Sequence, residues 1–138
     1  MNRTLSSEVA KHIDGQVSIQ GWLHKKRLLG GLTFISVRDR AGLTQVLVED
    51  KNEVEKLRGL HIGTVLTVVG TVFKDDRAPG GAEIHNPTLE IIVPVTDEPP
   101  IEIDKPISHK PEHLDTLFEY RVLNIRNLQE QKIFKQFL

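Results

Sequence analysis

The sequence predicts an all-β fold: a small barrel of five strands with a short helix between the third and fourth, then an extended linker and a C-terminal helical segment. Three observations predict it. Residues 16–24, 32–38, 43–49, 64–73 and 82–93 are β-prone runs, most with period-two alternation, separated by turns that carry glycine or proline. The stretch 51–59 between the third and fourth runs changes to a helical period. After residue 93 the composition shifts, with Pro94, Pro99, Pro100, Pro106 and Pro111 punctuating an acidic stretch.

Each element has a local reason. Residues 1–15 are polar, with Ser6, Ser7 and Glu8 near the start, and predict a short helical turn ended by Gly15. Strand one, 16–24, places Val17, Ile19, Gly21 and Leu23 on one face. Lys25 to Gly31 is expected as a cationic loop with a glycine pair. Strand two, 32–38, puts Thr33, Ile35 and Val37 on the core side and Leu32, Phe34, Ser36 and Arg38 on the other. Strand three, 43–49, separates Thr44, Val46 and Val48 from Leu43, Gln45 and Leu47, and a hairpin across Ala41-Gly42 would bring Gln45 near Phe34. In 51–59, Val54 and Leu57 lie three apart and Gly59 supplies the stop. Strand four, 64–73, is strongly β-prone; Asp75 to Gly81 contains the turn Ala-Pro-Gly-Gly; strand five, 82–93, is expected to bend at Asn86-Pro87.

Five strands in this order, with the helix between the third and fourth, describe an OB-fold, a barrel that binds oligonucleotides on the face of strands two and three. A small SH3-like barrel is the structural alternative, and the connecting helix favours OB. We expect the barrel over 1–95 and a linker or hinge over 96–127. Over 128–138 we expect a helix whose stripe of Leu128, Ile133, Phe134, Phe137 and Leu138 has nothing in this chain to cover it, as at the start of a truncated second domain.

Composition narrows the function classes. At 138 residues the chain can build a core without disulfides or metal, and it has no cysteines. The six histidines are scattered, none at metal-ligand spacing. No apolar run approaches the ~20 residues of a membrane span, and the start lacks a signal-peptide core, so a cytoplasmic protein without a membrane role is expected. The net charge is -1, yet from His24 to Arg40 five basic residues face Asp39 alone. From Asp97 to Glu119 seven acids face Lys105 and Lys110. A local basic patch binds phosphates even on a near-neutral protein, although a charge run is more often a solvated loop.

Phe34 is the first candidate site residue. It lies off the core face, beside a serine and an arginine, and an exposed ring with a nearby amide is what a reader of single-stranded RNA needs. The bland alternative, packing under a loop or a neighbouring domain, has about even weight from pattern alone.

Three stretches carry a family resemblance. They are Gly21-Trp22-Leu23-His24-Lys25-Lys26-Arg27, Gly30-Gly31-Leu32-Thr33-Phe34-Ile35 and Val37-Arg38-Asp39-Arg40-Ala41-Gly42-Leu43-Thr44-Gln45-Val46. Together they resemble the N-terminal anticodon-binding domain of aspartyl-tRNA synthetases, in the class II subgroup shared with asparaginyl and lysyl enzymes. Leu114 to Asn127 is similar to the family's hinge, and the helix with Ile133-Phe134-Lys135 to the first helix of its catalytic domain.

The resemblance implies roles. Phe34 would stack on the middle anticodon base, a uridine, and Gln45 would hydrogen-bond its edge. Arg27 would sit at the anticodon loop. Glu83 would read the first base, because a carboxylate accepts from the donor edge of guanine; a solvent-facing strand charge is the bland alternative. Lys25 and Lys26 would contact phosphates. Leu28 departs from the family's frequent aspartate. Leu29 stands where some members carry a histidine associated with accepting both aspartate and asparagine tRNAs, and leans toward aspartate alone. Arg77 to Gly81 resembles archaeal-type members. His24 and His85 could approach RNA.

The family attaches aspartate to tRNA with ATP and Mg2+ on a separate domain, and full-length members dimerise mostly through it. This chain is therefore expected to be a binding module without cofactor, monomeric or weakly associated. The alternatives are a non-specific single-stranded nucleic-acid-binding OB protein, an asparaginyl-tRNA synthetase domain, and a protein-interaction module without an RNA role.

Overall fold

A computed structural model describes residues 1–101, 103–104 and 114–136. They fall into two compact units, Met1–Glu98 and Pro99–Leu138. In the first, β1 (Gln16–Leu29), β2 (Leu32–Arg38), β3 (Leu43–Val48), β4 (Val65–Lys74) and β5 (Ala82–Val93) close a barrel in the order β1-β2-β3-β5-β4, with α1 (Lys51–Leu57) between β3 and β4. All pairings are antiparallel except the short parallel contact of β3 with β5. This is the OB-fold order that the sequence predicts.

The core follows the alternation. Val17, Ile19 and Leu23 of β1, Ile35 and Val37 of β2, Val46 and Val48 of β3, Leu66, Val68 and Val72 of β4 and Ile84 and Leu89 of β5 are all buried. Leu57 of α1 joins the same core. Asp50 caps α1, accepting from the N–H groups of Asn52 and Glu53. Two side chains of α1 hold it to β5: Glu53 accepts from the Leu89 N–H at 2.8 Å, and Lys56 donates to the Leu89 carbonyl at 2.9 Å. Gly21 lets two strands approach, because a Cβ there would lie 2.1 Å from the Arg38 carbonyl oxygen.

One expected element differs. Lys25 to Leu29 is strand rather than loop, paired with β2 as far as Leu29 opposite Leu32. His24 is the extra residue of a bulge in β1, where the register shifts between Leu23 and Lys25. Gly30 and Gly31, at φ +57° and +90°, make the two-residue turn that closes this hairpin. No alternation marked these residues as strand because all five, Lys25 to Leu29, are exposed. β2 alone partners them.

The N-terminal turn forms a 3-10 helix over Ser6–His12 that contributes Val9 to the core. Asp39 holds this turn to the β2–β3 connection. Its carboxylate accepts from the Ser6 N–H and hydroxyl at 2.8 and 2.6 Å, and from the Ala41 and Gly42 N–H groups at 2.8 and 3.0 Å. The bend in β5 lies at Asn86, where φ is +49° and the pairing with β4 shifts register.

The second unit holds α2 (Leu114–Glu119), α3 (Arg121–Asn124) and α4 (Leu128–Lys135). Asn127 caps α4 through the Gln129 and Glu130 N–H groups, and its amide donates to the Ile103 carbonyl at 3.1 Å. The Arg121 guanidinium lies 4.8 Å from the Phe134 ring centroid. Ile133 and Phe134 of the expected apolar stripe are exposed, whereas Phe137 and Leu138 lie outside the described residues. Residues 102 and 105–113 of the expected linker also lie outside them.

Candidate nucleic-acid interface

Strand register assembles the site. On the outer face one row of cross-strand partners runs Lys25, Ser36, Gln45, Glu83, Phe73 through all five strands. The neighbouring row pairs Arg27 with Phe34 and Phe34 with Leu47. Gln45 is thus diagonal to Phe34 on one face, as the hairpin reading expected. Around these rows opens a cleft of about 550 Å³. Arg27, Leu29, Phe34, Gln45 and Glu83 all line it.

The polar centre of the cleft is Glu83. It is 4% exposed, so it is not a solvent-facing strand charge. Both carboxylate oxygens are engaged: the Gln45 amide nitrogen donates to Oε2, and His85 Nε2 lies 2.7 Å from Oε1. Burial of a charge requires such partners. The contact also orients Gln45. With Nε2 turned to Glu83, the carbonyl oxygen and the second amide N–H are left as acceptor and donor for a base edge.

The Arg27 guanidinium carbon lies 5.9 Å from the Phe34 ring centroid, within cation–π range. Across the cleft, the end of β4 supplies Lys74 and the loop after it Asp75 and Arg77. The Asp75 carboxyl is held below its ordinary pKa, chiefly by the Arg77 N–H and then by the Arg77 side chain.

The two lysines separate. Lys25 shares the outer face with Ser36 but lies outside the cleft lining. Lys26 points to the opposite face and donates to the Leu57 and Leu60 carbonyls at 3.0 and 2.9 Å, at the C-terminal end of α1. These bonds set the ammonium against carbonyls left open where the helix ends, a place that favours a cation. His24 is buried in the β-bulge, away from the role expected of it, while His85 lines the cleft.

Phe73, Lys74, Asp75 and Arg77 were missed as site residues. The parity that exposes Phe34 also applies to Phe73: Val68 and Val72 point in, Thr71 and Phe73 out. Among the described residues no group of three His, Cys, Asp or Glu could hold a metal ion.

Comparisons with known proteins agree with this architecture. Residues 17–92 match the family of tRNA anti-codon OB-fold nucleic acid binding domains. The aspartate–tRNA(Asp/Asn) ligase of Archaeoglobus fulgidus is 33% identical over 138 residues, covering 96% of this chain and 31% of that protein. The asparagine–tRNA ligase of Desulforamulus reducens is 34% identical, covering 98% and 30%. The crystal structure of asparaginyl-tRNA synthetase from Pyrococcus horikoshii, complexed with asparaginyl-adenylate, superposes with a TM-score of 0.79 at 30% identity, over 98% of this chain and 31% of that one. The chain thus spans under a third of the length of these relatives. With its five-stranded barrel and its match across residues 17–92, the chain belongs to the family of anticodon-binding OB-fold nucleic acid binding domains.

Proposed function

We propose that this chain reads the anticodon of an aspartate tRNA, as the N-terminal part of a protein that attaches aspartate to that tRNA. The observation that carries the reading is the Phe34–Gln45–Glu83 arrangement: an aromatic face beside an amide whose orientation is set by a buried carboxylate. Phe34 stacks on the middle base. Gln45 accepts from the uridine N3–H and donates to a uridine carbonyl. Cytidine has no donor at N3 and an amino group in place of O4, so the same amide pairs poorly with it. Glu83 holds Gln45, and it reads a guanine at the first position by accepting from that base's donor edge with the lone pairs that the Gln45 and His85 contacts leave unused. Arg27 supplies charge at the loop, and Lys25 approaches phosphates.

The aspartate reading is supported by Leu29 on the cleft wall, while the relatives' names include both aspartate and asparagine tRNAs. ATP and Mg2+ chemistry is assigned to the part of the relatives that this chain does not span, as is dimerisation. The test is a binding titration of an aspartate anticodon stem-loop. Changing its middle uridine to cytidine is expected to weaken binding about tenfold, roughly 1.4 kcal/mol, and Phe34→Ala by about 1–3 kcal/mol. Equal binding of both RNAs would favour a non-specific single-stranded nucleic-acid binder. No binding at low salt would favour a protein-interaction module.

A further inference from the structure

The cleft contains a second aromatic that the reading of the middle base does not use. Phe73, near the end of β4, lines the cleft and is 40% exposed. It lies on the outer face opposite Glu83, and its ring is 4.5 Å from that of His85, tilted by 35°. His85 is in turn fixed on Glu83 Oε1. The ring is therefore braced on one side and open on the other. Covering Glu83 does not by itself call for a ring this open. Lys74 and Arg77 line the cleft beside Phe73, with Arg77 paired to Asp75 and Lys74 4.0 Å from Asp76.

Phe34 and Phe73 cannot grip one base together. On this face β3 and β5 lie between β2 and β4, and three steps of ~4.8 Å put roughly 14 Å between the strands. A base sandwiched between two rings needs about twice the ~3.4 Å stacking distance.

We propose that Phe73, braced by His85, is a second base-stacking surface, holding another unpaired nucleotide of the RNA loop whose middle base lies on Phe34. The inference rests on the reading that this cleft binds single-stranded RNA. It adds a second anchoring position, where stacking, tolerant of base identity, registers the strand across the sheet.

The test is a coupling experiment on the 138-residue chain. Wild type, Phe73→Leu, Phe73→Tyr and Phe34→Leu are titrated with an anticodon stem-loop and with copies carrying one abasic nucleotide at each unpaired position. Phe73→Leu is expected to weaken binding about tenfold, and Phe73→Tyr, which keeps the ring, to bind as wild type. One abasic position other than the middle base should weaken wild type by a similar factor and cost nothing further in Phe73→Leu. The middle position should couple in the same way to Phe34→Leu. The proposal is overturned, with the anticodon reading intact, under either of two results while Phe34 still couples to the middle base. One is wild-type binding by Phe73→Leu, and the other is an equal loss in Phe73→Tyr. If no variant and no abasic position changes binding, both readings fail.

Discussion

Before His24, β1 alternates, pairs with β4 from Gln16 to Trp22 and sends Val17, Ile19 and Leu23 into the core. After it, the same strand pairs on one edge, exposes every residue and carries Arg27 and Leu29 to the cleft. A single bulged residue separates the two halves. Odd-numbered positions point inward before the bulge and outward after it, because an inserted residue flips the side-chain period. The first half of β1 is therefore built for stability and the second half for contact, and substitutions in the two halves should separate accordingly.

Gly21→Ala tests the closed half and should have the largest effect. Its Cβ would meet a backbone oxygen that cannot step aside, so we expect a loss of about 3 kcal/mol in denaturant unfolding. A loss under 0.5 kcal/mol would mean that the strands can spread there.

Asp39→Asn tests the tether between the N-terminal turn and the β2–β3 connection. Burial pushes the Asp39 carboxyl up, but the hydrogen bonds from the Ser6 hydroxyl and N–H, then Ala41 and Gly42, outweigh it and hold the pKa below the ordinary 3.8. A depressed carboxylate contributes stability above its ordinary pKa and loses it as pH falls through the folded value. We expect Asp39→Asn to cost about 1–3 kcal/mol at pH 7 and the gap to wild type to close below pH 3.8. A gap constant from pH 7 to pH 3 would place its cause elsewhere.

Lys26→Met tests the arm after the bulge and should have the smallest effect on stability, about 1 kcal/mol for its bonds to the Leu57 and Leu60 carbonyls. RNA affinity should change less than twofold, since this side chain faces away from the cleft. A loss of RNA binding as large as that of Arg27→Met would return Lys26 to the phosphate-contacting role that the sequence suggested.

What was legible in the sequence follows the same division. Wherever one face is buried, as in β2 and β3, alternation places Phe34 and Gln45 correctly on the outer surface. The arm from Lys25 to Leu29 lacked that signal because neither of its faces is buried, and its strand character depends on pairing with β2. Glu83 looks like an ordinary strand carboxylate in sequence. Only the parallel register of β3 with β5 brings it to Gln45, and His85 reaches its other oxygen from two residues along the same strand. Phe73 was legible by the parity argument that identified Phe34.

The central claim is that Gln45, oriented by Glu83, reads the middle base. A double-mutant cycle tests it most directly, pairing Gln45→Ala with the uridine-to-cytidine change in an aspartate anticodon stem-loop. The account predicts that the roughly tenfold preference for uridine collapses to near unity in Gln45→Ala, while binding to the cytidine RNA is little changed. A preference of the same size in both proteins would contradict it and assign the reading of that base to another group.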